Sequence, residues 1–94
     1  MIEAQLKHRG EHFEVSIHGQ MYEGQCNWSW EGEKDNPKRT YPVAIEADSI
    51  SRVGLKKLIR LSKEKRIEVA RIAAKELNQS DSGRYLAYYK GEKL

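Results

Sequence analysis

Up to about residue 47, apolar and polar side chains alternate along the chain, the period of a strand with one covered face. Ile2, Ala4 and Leu6 fall on one side, as do Phe13, Val15 and Ile17 in the next run. Tyr22, Gly24, Cys26, Trp28 and Trp30 make a third set, and Tyr41, Val43, Ile45 and Ala47 a fourth. A slip of one residue would turn any of these sets to the wrong side, so the pattern constrains how the strands pair. Pairing about Arg9-Gly10 sets Leu6 opposite Phe13, Ala4 opposite Val15 and Ile2 opposite Ile17. A type II′ turn at Gly19-Gln20 sets Ile17 opposite Tyr22 and Phe13 opposite Cys26. Trp28 then meets Val43 and Trp30 meets Tyr41, with residues 31–40 as a charged connecting loop containing Asn36-Pro37. Pro42 suits an edge strand, where a missing N–H is tolerated. The opposite side carries His12, Glu14, Ser16, Glu23 and Gln25 among others, so it is polar and net acidic and reads as an open face.

From Asp48 the period changes. Asp48, Ser49 or Ser51 is suited to cap a helix. On a helical wheel Ile50, Leu55, Leu58, Ile59 and Leu61 share half the circumference, while Arg52, Lys56 and Arg60 form a stripe on the other side. Carried past Ser62, the same wheel puts Ile67 into the basic stripe. That conflict predicts a break near Ser62 and a second helix over 63–78, with Ile67, Val69, Ala70, Ala73, Ala74 and Leu77 on one arc. The aromatic run Tyr85 to Tyr89 favours a fifth strand on the free edge of the first, with a short helical turn or a loose tail as alternatives. The expected architecture is an α+β domain: a four- or five-stranded antiparallel meander with one broken or two consecutive helices on one face. One domain spans 1–94, with the sheet over 1–47, the helical region over 48–78 and a tail over 79–94. Its expected core is Leu6, Phe13, Val15, Ile17, Tyr22, Cys26, Trp28, Val43, Ile45, Leu58 and Leu77.

Composition fits a small soluble domain: of 94 residues, 38% are apolar and 33% charged. No apolar run is long enough to span a bilayer, and the first residues lack the basic-then-apolar order of a secretory signal. A single cysteine makes no internal disulfide, which predicts a reducing, cytoplasmic setting. The net charge of +3 is unevenly spread. Residues 1–47 hold 5 basic and 8 acidic side chains, whereas residues 48–94 hold 12 basic and 6 acidic. Such a split points to a partner.

Catalytic signatures are lacking: the chain has no glycine-rich phosphate loop, no His-Glu-x-x-His and no Gly-x-Ser-x-Gly. Cys26 reads as a core residue, and no enzyme activity or cofactor is expected. A zinc site built from His8, His12, His18 and Cys26 fails on geometry, because the expected register sends these groups to both sides of the sheet. The basic stripe is the expected working surface: Arg52, Lys56, Lys57 and Arg60, extended by Lys63, Lys65 and Arg66. Trp30, at a strand end beside the charged loop, is a candidate to line a groove at the sheet's rim. The function expected from this charge pattern is non-catalytic binding or regulation, through contact with an acidic protein surface or by self-association. The alternative is a nucleic-acid-binding protein whose same basic residues contact phosphates. A membrane-surface role ranks last, since the basic segment carries no aromatic anchor. No motif identifies a family.

Overall fold

The computed structural model describes residues 2–7, 12–28, 42–80 and 84–94. Trp30, Tyr41 and the 31–40 loop lie outside the described residues, as do the side chains of Leu6, Trp28 and Val43. The chain runs β1 (Ile2–Lys7), β2 (His12–Ile17), β3 (Gln20–Trp28) and β4 (Pro42–Glu46). A single 3₁₀ turn (Ala47–Ser49) follows, then β5 (Ser51–Val53), β6 (Leu58–Arg60), α1 (Lys63–Ser80), β7 (Arg84–Tyr89) and β8 (Glu92–Lys93). The expected four- or five-stranded antiparallel meander with one broken or two consecutive helices is therefore corrected. The molecule is an eight-stranded mixed sheet with one α-helix among the described residues.

The first hairpin has the register set by its apolar pattern, with Ile2 opposite Ile17, Ala4 opposite Val15 and Leu6 opposite Phe13. Trp28 opposite Val43 also stands. Between β2 and β3 the register differs by two residues: Val15 faces Tyr22 and Phe13 faces Gly24. The turn is His18-Gly19, with φ of 48° and 84°. Two positive φ values make a type I′ turn at His18-Gly19, in place of the expected type II′ corner at Gly19-Gln20; both types match the twist of the flanking strands. A two-residue shift preserves parity, so Phe13, Val15, Tyr22 and Cys26 are buried either way.

The larger correction falls at 48–61, where a helix was expected. Residues 51–60 instead form a β-hairpin, with Ser51 opposite Arg60, Arg52 opposite Ile59 and Val53 opposite Leu58. Gly54 disfavours a helix interior, and here its N–H donates to Lys57 O at 2.9 Å to close the turn. A Cβ on Gly54 would stand 2.8 Å from that same oxygen. Ile50 is buried, but Leu58, expected in the core, is 53% exposed and Leu55 fully so.

The 3₁₀ turn lets β3 serve two neighbours along one edge. Cys26 to Trp28 pair with β4, and Tyr22 and Glu23 pair with β5. In the gap between, the Gln25 N–H donates to Ser49 Oγ at 2.8 Å, and that hydroxyl donates to Glu46 O at 2.6 Å. A side chain thus replaces the missing rung of the ladder. Above it, Ile50 and Phe13 meet over Gly24, where a Cβ would lie 2.9 Å from both.

After Ser62, whose hydroxyl accepts the Lys65 N–H at 3.3 Å, α1 begins where the sequence pattern placed its break. Val69, Ala70, Ala73, Ala74 and Leu77 are buried against β1, β4 and β7. The small alanines bring the helix close to the sheet. α1 is also the crossover that returns the chain to run β7 parallel to β4, from Pro42 opposite Arg84 to Glu46 opposite Tyr88. So 84–89 is a strand, but it joins β4 and not β1. The reason is burial: Ile45 is inaccessible to solvent, and β7 adds Tyr85 and Ala87 to the same core. β4 is consequently internal, and Pro42 is tolerated as its first residue. A second type I′ turn, Lys90-Gly91 with φ of 49° and 84°, closes β8 onto β7.

Candidate interaction surface

No helical stripe carries the basic residues. Arg52, Lys56, Lys57 and Arg60 are all exposed on the β5–β6 hairpin. Directly opposed residues share a face, so Arg52 lies with Ile59 on one side and Arg60 lies with Ser51, Val53 and Leu58 on the other. Lys56 and Lys57 occupy the turn. Residues 49–63 contain five cationic side chains and no acidic one. The hairpin therefore presents positive charge on both faces and at its tip, around the exposed Leu55 and Leu58.

The start of α1 extends this surface through two aromatic rings. Arg52 stands opposite Tyr22 in the β3–β5 ladder, and Lys65 Nζ is 5.8 Å from the centre of the Tyr22 ring. Lys63 and Arg66, also expected at the surface, gather about Tyr89 instead. Lys63 Nζ lies 5.0 Å from that ring centre, Arg66 Cζ 5.9 Å and Lys90 Nζ 5.7 Å. Cations over a ring face are attracted by its quadrupole. Asp48 holds the group together: its backbone oxygen accepts from Arg66 Nη1 at 3.1 Å, and its Oδ1 accepts the Lys90 N–H at 3.3 Å.

Beside the hairpin lies an open groove of about 520 Å³, lined by Met21, Arg52, Val53, Leu55 and Ile59 together with Gly19 and Gln20. Gln20 Nε2 donates to Val53 O at 3.4 Å and links the β2–β3 turn to the hairpin. Met21, Val53, Leu55 and Ile59 give the groove its apolar lining, and Arg52 lines it as well. Leu55 and Tyr89 were not among the site residues legible in the sequence. Leu55 was assigned to the buried side of a helix that does not form. Tyr89 needed α1 and β7 to be placed side by side. Cys26 is buried within the sheet, away from this surface.

Comparison of the chain with protein-family models, characterised proteins and solved structures returns no match. Among the described residues no helix is long and apolar enough to cross a membrane.

Proposed function

We propose that this is a non-catalytic cytoplasmic binding protein that docks an acidic protein surface through its β5–β6 hairpin and the start of α1. One observation carries the reading: the exposed Leu55 with the groove it lines, and the exposed Leu58 on the hairpin's other face, lie among Arg52, Lys56, Lys57 and Arg60 with no acidic residue in the hairpin. Apolar centres with charged rims are the anatomy of protein interfaces, whereas a phosphate backbone needs the cations alone. The same arrangement supports self-association, with the acidic open face of a second copy as the partner. A second reading has its own support. A short two-stranded ribbon with no acidic residue fits a nucleic-acid major groove, and its cations would contact phosphates.

The experiment titrates two fluorescent probes, a peptide alternating Glu with Leu and a mixed-sequence DNA duplex, at low and moderate salt. The native chain is compared with Leu55→Ser/Leu58→Ser and Lys56→Glu/Lys57→Glu, and its solution mass is measured alongside. Peptide binding weakened about tenfold by either double variant is the expected result. Tight duplex binding, steeply salt-dependent and indifferent to the leucines, transfers the surface to nucleic acid. Failure of both probes, with a monomeric mass, overturns the reading.

A further inference from the structure

On the open face of the sheet, strands β2 and β3 assemble three side chains that the basic surface does not use. His12 and Glu14 are two apart on β2 and point to the same side. Glu23 on β3 stands directly opposite Glu14. One ligand atom from each of His12, Glu14 and Glu23 lies within 4.8 Å of the other two, and His12 Nε2 is 3.6 Å from Glu23 Oε2. All three are half-buried on regular strands. We propose that His12, Glu14 and Glu23 form a binding site for a first-row divalent transition-metal ion, with zinc as the representative case.

Bonds of about 2.0–2.2 Å in a tetrahedral zinc site place neighbouring donors about 3.4 Å apart. The His12–Glu23 separation of 3.6 Å is already on that scale, and no two of the three ligand atoms are more than 4.8 Å apart. Two carboxylates set opposite each other across a ladder repel, and a dication between them offsets both charges at once. One imidazole with two carboxylates suits zinc, cobalt, manganese or iron. Calcium and magnesium favour all-oxygen shells. Beside the triad is a recess of about 120 Å³, lined by His12, Glu23, Gln25, Ser49, Ser51 and Leu58, with room for water to complete the coordination. A search for His and Cys alone passes over this site, because its donors come from two strands at a spacing set by cross-strand register.

The test uses the full chain freed of metal by a chelator and titrated with Co2+, followed by visible absorption, with Zn2+ added as competitor. The expected result is saturation at one equivalent, displacement by Zn2+, and a melting temperature raised by either ion. Glu14→Gln and Glu23→Gln, which keep side-chain shape, should weaken binding at least tenfold while leaving the far-ultraviolet circular dichroism unchanged. His18→Asn removes an exposed imidazole at the turn and should change nothing. The proposal is overturned by the lack of saturable binding up to about millimolar ion, a weak-affinity ceiling. It is equally overturned if binding survives both glutamine variants or disappears in His18→Asn.

Discussion

Single residues decide how the irregular parts of this sheet close. Asn78 on α1 donates through Nδ2 to Tyr85 O at 3.0 Å and accepts the Tyr85 N–H through Oδ1 at 2.7 Å, so its amide stands in for a strand neighbour on β7. Asn78→Ala strips both bonds from a part-buried backbone unit and should cost about 1–3 kcal/mol in chemical denaturation. Asn78→Asp keeps an acceptor but has no donor for the Tyr85 carbonyl, and should recover only part of that loss. A change no larger than ordinary surface substitutions would show that the bridge contributes nothing. Gly24 is the second such residue. A methyl group there meets Ile50 and Phe13 at 2.9 Å, and both are fully buried side chains with little freedom to withdraw. Gly24→Ala should therefore destabilise by about 1–3 kcal/mol through overpacking. An unchanged unfolding midpoint would mean that the contact relaxes freely.

Among the elements, the β5–β6 hairpin separates what the sequence could reveal from what it could not. Strand parity in β1, β2 and β3 was legible because each strand buries one face, and Phe13, Val15, Tyr22 and Cys26 follow that alternation to the core. α1 was legible for the same reason at the helical period, with Val69, Ala70, Ala73 and Leu77 on its buried arc. The hairpin escaped because its apolar residues are not all buried. Leu55 and Leu58 fit a helical wheel only if they face a core, and neither does. Gly54 and the β-branched Ile50, Val53 and Ile59 were the local signals against a helix. A paired substitution checks this assignment by thermal or chemical unfolding. Leu58→Ser should shift stability by no more than about 0.5 kcal/mol, as an exposed residue does. Ile50→Ala should cost about 2–5 kcal/mol, as a buried one does. Comparable losses at the two positions would restore Leu58 to the core and refute the hairpin.

Across the whole molecule, charge is segregated by where the chain folds. Eight of the twelve basic side chains of the second half lie on the hairpin or around Tyr22 and Tyr89, while His12, Glu14 and Glu23 gather on the open face. The charge split was legible in the sequence, and so were Arg52, Lys56, Lys57 and Arg60 as its exposed carriers. Their arrangement was not, because it depends on tertiary neighbours. Lys63 and Arg66 meet Lys90 only because β7 returns beside β4 and its turn delivers Lys90 to the start of α1. One measurement tests the central claim most directly: amide chemical shifts of the isotopically labelled chain, recorded as the Glu-Leu peptide is added. Shifts are expected at residues 52–60 and 63–66 and next to Tyr89, with β1 residues 2–4 unmoved. Shifts confined to the open face of β2 and β3, or none at saturating peptide, would contradict the hairpin as the docking surface.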